Sequence, residues 1–250
     1  MINSDNPGLG RSGRAVKPAS SFWRCFVVAI LPVLAISAQE PPDVQSNAAL
    51  ERVLKLMDST AANFRSTEAS FVWDQYTKVV NESDTQKGKV YFRRAGKETQ
   101  MAADITEPDQ KSVLFTDSKI EVYQPRIDQV TVYNAGKNRE AFESLLVLGF
   151  GGSGHDMLKS FDVKYLGTER VDGTDAVKLE LVPKSPKIRN NFDRILLWID
   201  QARGVSVQQQ LFEPSGDHRL AKYSGIELNQ KIPDTVFKLK TTGKTKIVTP

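Results

Sequence analysis

From Gly88 to Tyr133 the chain reads GKVYFRRAGKETQMAADI, a polar break, then VLFTDSKIEVYQPRIDQVTVY, a series of short runs in which apolar and polar residues alternate. Alternation with period two marks strands with one buried face, and Ala95-Gly96, Pro108-Asp109, Asp117-Ser118 and Pro125-Arg126 between the runs carry the chemistry of tight reversals. A chain written this way does not form a helical bundle. The economical topology is an antiparallel meander.

The spacing predicts strands over 87–94, 98–105, 111–116, 119–124 and 128–133, preceded by a hairpin in which Ala69, Phe71 and Trp73 alternate with polar neighbours and NESDTQKG forms the turn. Further strands are predicted over 162–168, 175–182, 192–200, 204–213 and 217–228, with a last extended piece near 236–239. Leu50, Val53, Leu54, Met57, Ala61 and Phe64 recur at threes and fours, which predicts an amphipathic helix over 48–65 with Asn47 as its N-cap. A second helical region is expected between 137 and 161, with Gly149, Gly151, Gly152 and Gly154 as a flexible joint within it. About ten strands are too many for a flat open sheet, so a strongly curved, incomplete barrel with helices across its opening is expected.

The N-terminus has the layout of a secretory signal. Arg11, Arg14, Lys17 and Arg24 precede an apolar run from Phe26 to Ile36, then Ser37-Ala38 and the polar QEPPD. The run is short for a bilayer span, so cleavage is expected over retention as an anchor. The organisation read from this is a signal over 1–38, a linker over 39–47 and a single domain over 48–250. Removing four basic residues and one acid, Asp5, from the 34 and 30 of the whole chain leaves 30 against 29. The basic character belongs to the signal, and nucleic-acid binding loses its support. Cys25 also lies in the signal, before the apolar run, which excludes a lipid-modified cysteine and leaves the mature chain without a thiol or disulfide.

Catalytic motifs find little footing. His155 and His218 stand far apart without a nucleophile motif or metal spacing, and no cofactor is implied. Gly149-Phe150-Gly151-Gly152-Ser153-Gly154 formally fits a dinucleotide loop, but a helix and not a strand precedes it. The stripes Phe71/Trp73, Val90/Phe92, Val177/Leu179/Leu181 and Leu196/Trp198 would ordinarily be packed core. Too little helical mass is available to fill so large a curved sheet, and an apolar cavity is expected to remain. Arg94 falls on the same strand face as Val90 and Phe92, a permanent charge that requires a partner.

The helix followed by ASFVWDQY, GKVYFRRA, the DSK-IEVYQP-RIDQV unit and a terminal PDTVFKLK resembles the periplasmic outer-membrane lipoprotein carriers, the LolA family, over about residues 48–240. What the resemblance implies is a mainly β (α+β) fold, an eleven-stranded half-barrel with a helical lid over an apolar cavity that receives lipoprotein acyl chains. It implies a monomeric periplasmic shuttle without covalent chemistry, loaded by an inner-membrane transporter and unloaded onto an outer-membrane receptor. It gives Arg94 the role of a lid latch, hydrogen-bonded to lid backbone in the 138–150 helix. The cavity lining expected on this reading is Phe71, Trp73, Val90, Phe92, Met101 and Val122, with Leu179, Leu196 and Trp198 from the second half of the sheet. Phe142, Leu145 and Leu146 complete it from the lid. Two positions depart from the family pattern: Ala95 stands where a proline follows the arginine, and Glu121 where a tryptophan is usual. The alternatives are a lipid-sensing regulatory module on the same fold and a secreted hydrolase, for which no residue set offers a polar triad.

Overall fold

The computed structural model describes residues 42–96, 98–116, 119–134 and 148–250, which belong to one compact unit. Helix α1 (Pro42–Asn63) carries the predicted stripe, with Val53, Leu54 and Met57 buried. It starts within the stretch read as linker, so Asn47 is a helical residue and not the cap. The helix ends where Ser66-Thr67 opens the first strand; the Asn63 side chain donates back to the Ser59 carbonyl (3.0 Å).

Twelve strands follow: β1 (Ser66–Thr77), β2 (Glu82–Ala95), β3 (Glu98–Glu107), β4 (Lys111–Thr116), β5 (Lys119–Gln124), β6 (Gln129–Asn134), β7 (Phe161–Val171), β8 (Thr174–Pro183), β9 (Arg194–Asp200), β10 (Ser206–Phe212), β11 (His218–Leu228) and β12 (Lys246–Val248). Helix α2 (Gly154–Ser160) precedes β7, and a single turn, α3 (Pro186–Arg189), follows β8. The spatial order is β12-β6-β5-β4-β3-β2-β1-β11-β10-β9-β8-β7, one unclosed curved sheet made of two meanders joined where β11 pairs with β1. All pairings are antiparallel except β12 against β6.

Two sequence expectations are corrected. The sheet's twelve strands agree with the expected half-barrel of about eleven, but the extended piece near 236–239 is a 3-10 turn, Asp234–Phe237, and the last strand lies beyond it. Phe237 is buried against Ala102 and Leu114 on the outer face of the sheet, so the C-terminal segment crosses the back of β3 and β4 before reaching β6. There the Asp128 carboxylate accepts from the Thr242 and Thr245 hydroxyls, each at 2.6 Å. The first hairpin turns at 78–81 with Asn81 at φ 55, and the polar stretch from Glu82 is strand. It projects with both faces in water, and the Thr85 hydroxyl bonds the Asp74 carboxylate across it (2.6 Å). The readings on 1–38 and on 135–147 lie outside the described residues.

Helix α1 lies over only part of the sheet. Val53, Leu54 and Met57 pack with Leu179, Leu181, Ile195, Leu197 and Ile199, all buried, into a filled core over β8 and β9. Each fully buried side chain of this kind contributes about 1.5–3 kcal/mol of transfer free energy. The β1–β5 half carries a different cluster, Phe64, Ala69, Phe71, Val90, Phe92, Ile105 and Phe150, with half-buried partners around it. The two halves should respond differently to truncation. Leu197→Ala is expected to lower the unfolding free energy by about 2–5 kcal/mol, and Met101→Ala, which faces an existing hollow, by about half that or less, both read from denaturant midpoints.

Candidate functional site

Where α1 leaves the sheet uncovered, an apolar cavity of about 490 Å³ remains, within the usual size of ligand sites. Alternate residues of β1, β2 and β3 supply one wall: Phe71 and Trp73, Val90 and Phe92, then Met101, Ala103 and Ile105. Val113 and Phe115 of β4 and Ile120 of β5 continue it, and Gln209, Leu211, Arg219, Ala221 and Tyr223 of β10 and β11 face them.

Phe150 closes one end. It is 1% exposed, stacks on Phe92 with centroids 4.9 Å apart, and meets Tyr223 edge-on at 4.8 Å. Its flanking glycines are not a loose joint, as the sequence suggested. Gly151 has φ +81, and a Cβ there would come within 2.4 Å of the Phe64 ring; Gly149 has φ +79, and its Cβ would meet that of Ser206 at 2.2 Å. Both adopt left-handed backbone in a space no side chain fits. The loop is also tied by hydrogen bonds: Ser206 N–H donates to the Gly149 carbonyl (2.9 Å), and the Gln209 amide donates to that of Leu148 (2.6 Å). The Tyr223 hydroxyl donates to Gln209 Oε1 at 3.4 Å, and burial pushes its phenol pKa up.

Arg94 sits on the cavity-facing side of β2, one step past Phe92, and lines a neighbouring hollow of about 680 Å³ and not the apolar cavity itself. Although the residue is exposed, its guanidinium donates to two carbonyls, Ala61 at the end of α1 (3.2 Å) and Gly151 in the loop (3.3 Å), and lies 5.9 Å from the Phe64 ring centroid. Residues 138–147 of the helix expected to receive this arginine lie outside the described residues. Each bond is worth about 1 kcal/mol at such exposure.

A second tie joins α1 to α2. The Ser153 hydroxyl (2.6 Å) and the His155 backbone N–H (3.1 Å) donate to Asp58, while the His155 ring contacts Asp58 through Nδ1 and Glu51 through Nε2 (3.3 Å). The hydrogen bond to Asp58 raises the His155 pKa above its ordinary 6.5. Burial raises that of Asp58, but the bonds from Ser153 and His155 outweigh it and the net direction is down. His218 instead stacks on Tyr76 at 4.8 Å.

Of the residues predicted to line the cavity, Phe71, Trp73, Val90, Phe92 and Met101 do so. Val122 shares their face, opposite Val113, but stops short of the cavity. Leu179 points the same way and is locked in the filled core beneath α1. Leu196 and Trp198 lie on the outer face with Val171, Ala176 and Val207, where the Trp198 indole donates to Glu169 and carries the Lys178 ammonium 4.7 Å from its centroid. Strand β9 is buried on both faces, so its sequence does not reveal which side looks inward. Phe142, Leu145 and Leu146 fall outside the described residues. Glu121, opposite Leu114, also faces outward, so that departure leaves the cavity untouched; Ala95 is the last residue of β2. Phe150 and Arg219 line the cavity without a sequence signal that singles them out, Phe150 because it sits within a glycine run.

Fold and site together define an open β half-barrel with an apolar internal cavity closed at one end by a loop aromatic. The chain belongs to the family described as outer membrane lipoprotein carrier protein LolA, whose family model matches residues 62–240. It is 23% identical over 193 residues to an outer-membrane lipoprotein carrier protein of Nitrosospira multiformis, covering 77% of this chain and 86% of that one. Against the protein of the same description from Dechloromonas aromatica the identity is 24% over 187 residues, with 74% and 82% covered. Among solved structures, the Mycobacterium tuberculosis lipoprotein LppX is 14% identical with a TM-score of 0.46, covering 75% of this chain and 99% of that one.

The histidine tie is pH-dependent. Because the folded pKa of His155 is raised, its contribution is fully present below about 6.5 and is lost as pH rises through the folded value; that of Asp58 is present above 3.8 and lost only in acid. Amide protection factors along α1, measured from about pH 5 to about pH 9, are expected to fall across the neutral range in the parent and to stay flat there in His155→Gln. Identical profiles would exclude the tie.

Proposed function

We propose that this chain is a periplasmic carrier that holds acyl chains of lipoproteins, or of related lipids, in the apolar cavity and passes them from an inner-membrane donor to an outer-membrane acceptor. The observation that carries the reading is the cavity itself: a half-filled sheet whose uncovered face is lined by aromatic and aliphatic side chains. Family membership and the two carrier relatives support it. A long acyl chain entering such a space gains about 0.8 kcal/mol per methylene, on the order of ten in all, too much to let go unaided.

Release therefore needs a competitor. Phe150, seated on Phe92 and Tyr223, occupies the end of the space that a chain would use, and Arg94 holds the Gly151 carbonyl beside it. Cargo has to displace Phe150 and break that bond, and both re-form when it leaves. The closed state thus offsets part of the transfer free energy, and the acceptor supplies the rest.

Two substitutions separate binding from handover. Ala221→Trp fills the cavity from β11 and is expected to weaken binding of an acyl probe at least about tenfold, measured by fluorescence titration, with folding retained by circular dichroism. Arg94→Leu is expected to load acylated cargo as well as the parent but to transfer it several-fold more slowly to an acceptor in a two-component transfer assay. Undiminished binding by the first variant removes the cavity from the function, and parental transfer by the second removes the latch.

A further inference from the structure

The end of the cavity away from Phe150 is not apolar. Arg219 faces inward on β11 opposite Gln75, whereas Arg94 lies level with Arg65 at the other end of β1; from Arg65 to Gln75 is about 30 Å of strand. The Arg219 guanidinium is 5.8 Å from the Trp73 ring centroid and 5.6 Å from that of Phe192, and both rings line the apolar cavity. Behind it lies a second, polar hollow of about 210 Å³, formed by Asn190, Asn191, Glu213, Pro214 and Ser215. Arg219 and Phe192 line both spaces.

This arginine is incompletely satisfied. Its Nη2 lies 2.7 Å from Glu213 Oε1, yet Arg219 Nε and Glu213 Oε1 are buried without a hydrogen-bond partner among the described residues. The contact is an ion pair without a directed hydrogen bond; the Arg219 side chain as a whole is 31% exposed, while its Nε is buried. Buried donors of this kind ordinarily find partners, and a guanidinium left with a free N–H is matched best by an anionic oxygen. Ser215 adds to the set: its oxygen accepts from the Asp217 N–H (3.2 Å) and leaves its own proton to donate.

We propose that Arg219 and the polar hollow behind it form a headgroup site, so that the cavity's preferred occupant is an acyl amphipath bearing an anionic group, a phosphate or a carboxylate. The inference rests on the proposed binding of acyl chains in the cavity and adds what the far end of the chain must carry. The apolar tail runs from Phe192 toward Phe150, the anionic oxygen takes the Nε–H of Arg219, and Glu213 accepts from any hydroxyl or ammonium on the same headgroup.

The test compares palmitate and hexadecyl phosphate with uncharged monopalmitoylglycerol, each below its micelle concentration, by displacement of a fluorescent apolar probe from the protein. The charged amphipaths are expected to bind about tenfold more tightly than the neutral one. In Arg219→Met that ratio is expected to fall toward one, and in Glu213→Gln, which removes the competing carboxylate, to widen. Whichever of palmitate and hexadecyl phosphate binds more tightly identifies the source of the charge. Equal affinity of the parent for charged and neutral amphipaths overturns this inference alone, as does a ratio that survives Arg219→Met. Failure of all three to bind overturns the cavity reading and the inference with it.

Discussion

The packing of α1 against β8 and β9 is the contact on which the rest of this structure depends. Leu54 and Met57 of the helix, with Leu179, Leu197 and Ile199 of the sheet, make a deeply buried core. Among the described residues, α1 covers the β8–β9 side of the sheet. Among these residues, the same burial that fixes the fold on one side leaves a hollow on the β1–β5 face.

The end of α1 is also where the loop beneath it is held. Arg94 joins Ala61 to Gly151, Asp58 and Glu51 take up His155, and Phe64 packs in the space that Gly151 leaves by having no side chain. Individually these are weak, exposed interactions. Together they make the position of Phe150 depend on the position of a helix that is itself fixed by a strong core. A loop held by several small contacts opens at modest cost, which is the property a closing element requires.

Much of the fold could be read in the sequence, and the reasons for the exceptions are physical. Strands with one wet face announced themselves: the alternation of Val90, Phe92 and Arg94 placed all three on the inner side of β2, and Phe71 and Trp73 followed suit on β1. Strand β9 did not, because Ile195, Leu196, Leu197, Trp198 and Ile199 are all buried and period two carries no information when both faces are dry. The polar arm from Glu82 looked like a turn because a hairpin standing clear of the sheet has no apolar face to alternate. Glycines around Phe150 suggested slack, since composition cannot distinguish freedom from crowding; only the distances to Phe64 and Ser206 do. Arg219 escaped notice because nothing in its neighbours His218 and Leu220 marks the direction it faces.

The sheet's failure to close leaves it with two margins, and both are unsuited to recruiting a foreign strand. On one, the three residues of β12 occupy the free side of β6 in parallel, too short a ribbon to template another chain. On the other, β7 is kinked by a bulge between Tyr165 and Gly167 and displays Lys164, Glu169 and Arg170 along its length. Terminating the ladder at both margins lets a long sheet stay open around a hollow without becoming the seed of an aggregate.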